Sequence, residues 1–463
     1  MKLSCDIVIV GAGAGGLLLA LALEGKGYHI VLVEQQSGPM KSSRRGELLQ
    51  PCGIKILDRF GLLGAIRSGG AHETHRFQFI RIGGPRLSDM DYQQLPPPYH
   101  YALITQPHIV QAAILDRLEH VRQIEFLWGT VFDGFRWNGP RVGGIRAMRG
   151  SEEIEVEASL VIGADGVESR VRQAAGVGYH MHAYRDGYFT MLLDRPSGFD
   201  HDARFYLGKR QILGLFPVSD QKLYLFYMIP AASIVGARVA PSTGEAGWSL
   251  PLSLALLAGS IPDRRMGGLE DLKNALIAID SSLREPLKGL ESWDRVATMP
   301  CYRVTAQTWV KDGLALMGDA VHAMNPHMAQ GRNQVMEDVM ALVPVIESCF
   351  KRSDFSREAL LHYEQIRQPP TQALQKMGDE LTWLWNTGHP VLAWLRDRIL
   401  KTIGRNPRLH DKTLLTISGL AVQPFNLLDR LIALGFLPEL WEEIRPNERN
   451  LKSVSDEKWN RLS

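Results

Sequence analysis

Cys5-Asp6-Ile7-Val8-Ile9-Val10-Gly11-Ala12-Gly13-Ala14-Gly15-Gly16 is the stretch whose reading decides the fold. The apolar run from Leu3 to Val10 reads as a strand, with Cys5 to Val10 buried in a parallel sheet. Glycines follow at once, and Leu17 to Gly25 then reads as a helix of good formers ending on a glycine. His29 to Glu34 is a second apolar strand, closed by an acid. Together these make one βαβ unit. Gly11 allows the tight turn, Gly13 lets the backbone approach a pyrophosphate, and Gly16 lets the helix pack close to the strand. Ala14 and Gly15 complete the cradle, where the helix N-terminus offers free N–H groups and a partial positive charge to phosphates. Glu34 lies 18 residues after Gly16, followed by Gln35. A carboxylate there accepts hydrogen bonds from ribose hydroxyls and repels a 2′-phosphate. The expectation is a dinucleotide site that rejects NADP.

Working outward, the chain has 463 residues, 45% of them apolar, enough for two or three structural units around large cores. A net charge of +2 gives no case for a nucleic-acid partner. Cys5, Cys52, Cys301 and Cys349 are scattered without a CxxC pair, which argues against a cysteine metal cage or a disulfide framework and for a reducing, cytoplasmic setting. The first strand leaves no room for a leader peptide, and no apolar run reaches the roughly 18 residues of a membrane span. Residues 47 to 67 read as helical, 75 to 100 as strands and a Pro96-Pro97-Pro98 loop, and 107 to 120 as a helix. Further strands fall at Ile124 to Leu127, Ala147, Ile154 to Val156 and Leu160 to Ile162, with a turn at Asn138-Gly139-Pro140. Residues 177 to 300 are mostly strand-like, clearest at Arg204 to Leu207, Gln211 to Phe216 and Lys222 to Met228, with helical stretches at Leu250 to Ala258 and Leu269 to Ile279. After Val335 the pattern is helical.

Two further motifs occupy strand ends. Gly318-Asp319-Ala320-Val321-His322 follows the apolar Leu314 to Met317, and Pro326, Gln330-Gly331, Arg332, Asn333 and Asp338 come after it. Gly163-Ala164-Asp165-Gly166 and Ser169-Arg170-Val171-Arg172 follow Leu160-Val161-Ile162. In this order, and with the first glycine loop, they resemble the motifs of class A flavoprotein hydroxylases, the superfamily of p-hydroxybenzoate hydroxylase and the ubiquinone-pathway hydroxylases. The resemblance implies an α/β fold: a Rossmann-like FAD domain in pieces (1–75, 101–176 and 300–345), an inserted antiparallel-sheet substrate domain (76–100 and 177–299) and a helical C-terminal region (346–463). It implies that Asp319 bonds the ribityl chain of FAD and that loop N–H groups from about Gly331 to Asn333 reach the flavin's pyrimidine edge, where reduced flavin carries negative charge. It ties Asp165 to FAD and NAD(P)H use, Arg45 to either cofactor, Gln106 to the pyrophosphate and the backbone near Val131 to the adenine.

The chain departs from the family pattern at several places. Ala329 replaces the first glycine of GQG, and Val335 replaces a glycine two residues after the asparagine. Alanine fits there only with a negative φ, and both changes crowd the flavin edge. Gln106 stands where many relatives carry an arginine. Leu213-Gly214-Leu215-Phe216-Pro217 resembles a family stretch that floors the substrate pocket, so Tyr206, Phe216, Pro217 and Tyr224 are pocket candidates, with His327 and Met328 at the flavin edge. No catalytic acid or base stands out; His322 and His327 are weak candidates, His322 being better suited to holding its loop. No ligand spacing is visible among His72, His75, His180, His182 and His201, and no metal is expected. Leu381, Leu384, Trp385, Val391, Trp394, Leu395 and Arg398 repeat at helical spacing, suited to a core or a dimer contact; a monomer or homodimer is expected.

The resemblance implies an FAD-dependent monooxygenase that consumes NADPH or NADH and O2 and hydroxylates an aromatic, quinone-like or polycyclic small molecule through a flavin C4a-hydroperoxide. Three other readings share the fold: a flavin halogenase, although its WxWxIP signature is absent; a reductase of prenyl double bonds; and an inactive flavin-binding scaffold.

Overall fold

The computed structural model describes residues 1–230 and 268–437. The predicted Leu250 to Ala258 helix lies outside them. An eight-stranded sheet carries the strands Val310–Lys311, Leu314–Leu316, Glu152–Gly163, Lys2–Val10, Ile30–Glu34 and Ile124–Trp128 in that spatial order. The last five are parallel neighbours. Ile7, Val8 and Ile9 are wholly buried, as continuous β-branched runs must be when both faces of a parallel sheet are covered. Helix Ala14–Ala22 packs on one face, and the long helix Gly331–Arg352 packs against it. A hairpin of Val131–Asn138 and Arg141–Arg149, turning at the expected Asn138-Gly139-Pro140, joins the edge of Glu152–Gly163.

Register decides where the motifs meet. Val10 pairs with Gly163, Gly163 with Leu316, and Val10 with Val33. Gly11, Ala164 and Met317 therefore leave the sheet at the carboxyl ends of adjacent strands. Their amides continue the ladder: Gly11 N–H to the Val33 carbonyl at 2.8 Å, Ala164 N–H to Val10 at 2.8 Å and Met317 N–H to Gly163 at 2.9 Å. Ligands of open α/β sheets bind at this end.

A seven-stranded sheet carries the second unit, in the order Ala297–Met299, Asp186–Asp194, Lys222–Pro230, Ile212–Pro217, Ala203–Leu207, Arg76–Arg81, Arg86–Asp91. All its pairings are antiparallel except Ala203–Leu207 with Arg76–Arg81. One face packs on the helices Leu269–Ile279 and Arg284–Lys288; the other faces C-terminal helices including Arg357–Trp385 and Pro390–Arg405. The expected helix over 47 to 67 is corrected. Glu47–Leu49 is a strand paired with Ala102–Thr105, and helices run over Pro51–Arg59 and Leu63–Ser68. Pro51 lacks an N–H and holds Gln50 extended, at φ −81° and ψ 160°, so the helix starts there. None of the four cysteines is in a disulfide, and no helix among the described residues is long and apolar enough to cross a membrane.

Candidate cofactor and substrate site

The first glycine loop is built by close contact. Gly11 has φ +110°, and a Cβ on it would lie 2.4 Å from the Ala164 carbonyl oxygen. A Cβ on Gly16 would lie 2.0 Å from the Gly11 carbonyl oxygen. Gly13 differs: nothing stands within 4 Å of its Cβ position. It caps Ala14–Ala22 with no side-chain hydrogen bond and no acid in the first turn, so the helix N-terminus opens on space with its donors unpaired by any cap. Glu34 accepts the Ala12 N–H at 2.8 Å and the Gln36 N–H at 2.9 Å. Each oxygen keeps a second lone pair, so the arrangement still suits ribose hydroxyls. Gln35 is exposed beside it, and the Gly129 and Thr130 amides bond the Gln36 and Glu34 carbonyls at 2.7 and 2.8 Å, which brings Val131 alongside.

Asp165 does not reach outward. Its oxygens accept the Ser169 hydroxyl at 2.5 Å and the Val171 N–H at 3.0 Å, capping the helix Arg170–Ala174. Burial raises its pKa. These bonds shape the loop that abuts Gly11. Gln106 likewise donates to the Ser43 carbonyl at 2.6 Å, fixing the segment that carries Arg45. The Arg45 Nε is buried without a partner, and Glu47 next to it is ion-paired with Arg332.

Around Asp319 the chain is buried from Gly313 to Gly318 and from Ala320 to Ala323, yet Asp319 itself is exposed. An acid that opens to solvent at the carboxyl end of a central strand has no packing role. Surrounding protein raises its pKa, against the pull of His322 and Arg332. Asp338 anchors this loop from below. It accepts the Gly318 N–H at 2.9 Å, His322 Nε2 at 2.5 Å and Arg367 Nε at 2.8 Å. Burial would raise the Asp338 pKa, but His322 and Arg367 outweigh it and hold it below the usual range. His322 thus holds its loop through Nε2 on Asp338, its ring tilted at 38° to Trp309 with centroids 5.0 Å apart. Pro326 begins the short turn Pro326–Met328. Asn333 accepts the Gln50 N–H at 3.0 Å and donates to the Ala329 and Leu48 carbonyls at 2.7 and 3.2 Å. Gln330 is wholly buried and donates to the Ile417 carbonyl at 2.6 Å, so it faces the C-terminal helices rather than the cleft. Gly331 opens the helix Gly331–Arg352 with no side-chain cap and nothing within 4 Å of its Cβ position.

Both departures from the family pattern are resolved. Ala329 has φ +50°, a left-handed conformation, so the condition under which alanine is tolerated without strain is not met. Val335 fills the space between the two loops: a Cβ on Gly15 would lie 2.5 Å from its Cγ1, and one on Gly318 3.0 Å from its Cγ2. It packs between helices rather than standing alone at an edge.

The pocket candidates divide by sheet face. Phe216 and Tyr224 share the face next to Met228 and the C-terminal helices with Tyr188, Phe205 and Phe226, none of which the sequence reading singled out. Ring centroids stand 5.2 Å apart for Tyr188–Phe226, 5.4 Å for Phe216–Phe226 and 5.2 Å for Phe205–Phe216. Tyr206 points the other way, into the Leu213 and Leu215 cluster, and donates to Asp280 at 2.6 Å. Pro217 follows Phe216 and takes that opposite face by alternation. Both are set apart from the pocket. His327 joins the aromatic face to the flavin loop. Its ring lies 6.1 Å from Tyr188 and 5.6 Å from Trp385, and its Nε2 is 2.9 Å from the Asn386 Oδ1. Asn386 donates to Asp186 at 3.1 Å, and Asp186 pairs with the exposed Arg210 at 3.3 Å. Burial pushes the His327 pKa down to about 4, so the ring is neutral at neutral pH.

The geometry fits a dinucleotide flavin: two uncapped helix N-termini, an exposed acid at the end of the strand Leu314–Leu316, and an arginine whose buried Nε has no partner. The comparisons agree. The model of the family described as "FAD binding domain" matches residues 4–242 and 273–377. The chain belongs to that family, among the class A flavoprotein monooxygenases, and FAD is its cofactor. It is 29% identical over 408 residues to a 6-methylpretetramide 4-monooxygenase of Streptomyces rimosus, covering 87% of this chain and 89% of that protein. It is 26% identical over 367 residues to a digeranylgeranylglycerophospholipid reductase of Methanothrix thermoacetophila, covering 78% and 82%. Among solved structures, p-nitrophenol 4-monooxygenase PnpA from Pseudomonas putida superposes with a TM-score of 0.70 at 20% identity, over 89% of this chain and 97% of that one.

Proposed function

We propose that this enzyme uses NAD(P)H and O2 to hydroxylate a polycyclic aromatic or quinone-like small molecule. The observation that carries this reading is the aromatic sheet face of Tyr188, Phe205, Phe216, Tyr224 and Phe226 joined by His327 to the flavin loop. Flat rings there favour a flat apolar substrate through stacking and burial. The Gly13 turn and its helix N-terminus hold the pyrophosphate, Glu34 takes ribose hydroxyls, and Asp319 takes the ribityl chain. Amides at Gly331 to Asn333 stabilise negative charge at the pyrimidine edge. The chemistry supplied by FAD, once bound, is acceptance of hydride from NAD(P)H and delivery of one oxygen atom of O2. Neutral His327, held between the Asn386 and Asn325 side-chain oxygens, orients the Tyr188 hydroxyl on the aromatic face where the substrate ring would lie. The relative acting on 6-methylpretetramide supports a polycyclic phenol as the substrate class.

The test is incubation of the holoenzyme with NAD(P)H and isotopically labelled O2 against a panel of polycyclic phenols, quinones and quinolones. One labelled oxygen per product molecule is expected. A second reading, reduction of a prenyl double bond without O2, is favoured by the likeness to the phospholipid reductase. Product formed equally under anaerobic conditions, with hydrogen added and no oxygen, would replace the first reading by the second.

A further inference from the structure

Two histidines 129 positions apart, without any recognisable spacing in the sequence, meet in the fold. His72 belongs to the strand His72–Thr74, which pairs with Ala102–Thr105. His201 lies just before the strand Ala203–Leu207, and Asp220 lies in the turn between Ile212–Pro217 and Lys222–Pro230. The His201 Nδ1 and His72 Nε2 stand 3.2 Å apart, with the rings stacked at 10°. One ligand atom from each of the three residues lies within 4.8 Å of the others. Two nitrogens bound to one tetrahedral zinc stand roughly 3.3 Å apart, given bonds of about 2.0–2.1 Å.

We propose that His72, His201 and Asp220 bind one divalent first-row transition metal, with zinc-like preferences, that ties the loops of the substrate sheet to the strand His72–Thr74. Two imidazoles and a carboxylate select such an ion over magnesium or calcium, and three protein ligands leave a position for water. The ligand loops are already held in place. Arg195, 9% exposed, donates to the Phe199 carbonyl at 2.8 Å and the Ser219 carbonyl at 3.4 Å, just before His201 and Asp220, and Thr74 Oγ1 donates to the His201 carbonyl at 3.4 Å. Asp220 is 89% exposed and free to swing inward. Arg195 also stands 3.7 Å from Asp220 and opposes a cation, while Glu73, beside His72, offsets it in part. The rival is an N–H···N hydrogen bond between the rings with no metal.

The experiment uses tag-free holoenzyme treated with EDTA, dialysed and titrated calorimetrically with zinc chloride, alongside His201→Ala and Asp220→Asn. The expected result is one equivalent of zinc, weakened at least about tenfold by His201→Ala and less by Asp220→Asn. The melting temperature should rise with zinc in the wild type and not in His201→Ala, while flavin content and NAD(P)H oxidation stay the same in both. Absence of saturable binding, equal affinity in His201→Ala, or full competition by magnesium would overturn the site and leave the hydrogen-bonded pair.

Discussion

The two glycine-containing loops at the cofactor end of the sheet are built in opposite ways. Around Gly11 and Gly16 the backbone comes so close to itself, and to Ala164, that a single methyl would collide. The segment from Gly318 to Asn333 is shaped instead by long-range side-chain bonds: Asp338, held by Arg367, on Gly318 and His322, Asn333 tied to residues 48 and 50, Gln330 tied to Ile417. At Gly11 and Gly16 the first loop tolerates no added atom, and it needs few partners. The second admits Ala329 at φ +50° and Val335 beside two glycines, because its shape is over-determined by distant groups. A motif written in backbone contacts is rigid in sequence; one written in long-range hydrogen bonds drifts.

That contrast can be broken by measurement. Asp338→Ala strands Arg367 and the Gly318 amide in the interior and should destabilise the fold by about 3–5 kcal/mol, read from denaturant unfolding; a loss under about 1 kcal/mol would mean the second loop supports itself. Gly11→Ala should cost about 3 kcal/mol through the Ala164 collision and release the flavin, read from the absorbance of retained pigment. Acid titration probes the second loop again. The unfolded His327 titrates near 6.5 and the folded one near 4, so between those pH values only the unfolded chain gains the proton. Stability should fall by roughly 3 kcal/mol as pH drops from 6.5 to 4, and His327→Gln should flatten that slope. Asp338, with its pKa depressed, adds a further loss as pH falls below about 4. Gly15→Ala should cost about 1–3 kcal/mol against Val335; in the double variant with Val335→Ala much of that cost should vanish, a coupling of about 1 kcal/mol. Additive effects would show that Val335 does not join the two loops. Ala329→Gly is the smallest change, within about 1 kcal/mol, since relief of the left-handed angle is offset by a looser unfolded chain.

Legibility in the sequence follows the same division. The strand, loop, helix and second strand up to Glu34 rest on local periodicity and glycine sterics, and the strands stand where the reading places them, while the helix, read from Leu17 to Gly25, starts and ends three residues earlier, at Ala14–Ala22. The helix expected from residue 47 failed because its apolar spacing outvoted Pro51, which bars the turn before it. Tyr206 was placed in the pocket because aromatic character was read without the alternation that sends Phe205 one way and Tyr206 the other. Period two along Ala203–Leu207 was signal enough to separate them. Arg367, Asn386 and Asp186 could not be found, since each acts across scores of residues and carries no local mark. His72 and His201, 129 positions apart, are the same case.

The central claim is that the two helix N-termini and Asp319 hold FAD for oxygen transfer. Purified protein should be yellow, and the pigment released on denaturation should have the mass of FAD at about one equivalent per chain, falling at least about tenfold in affinity in Asp319→Ala. A colourless protein, or one whose flavin affinity is unmoved by Asp319→Ala, would contradict the account.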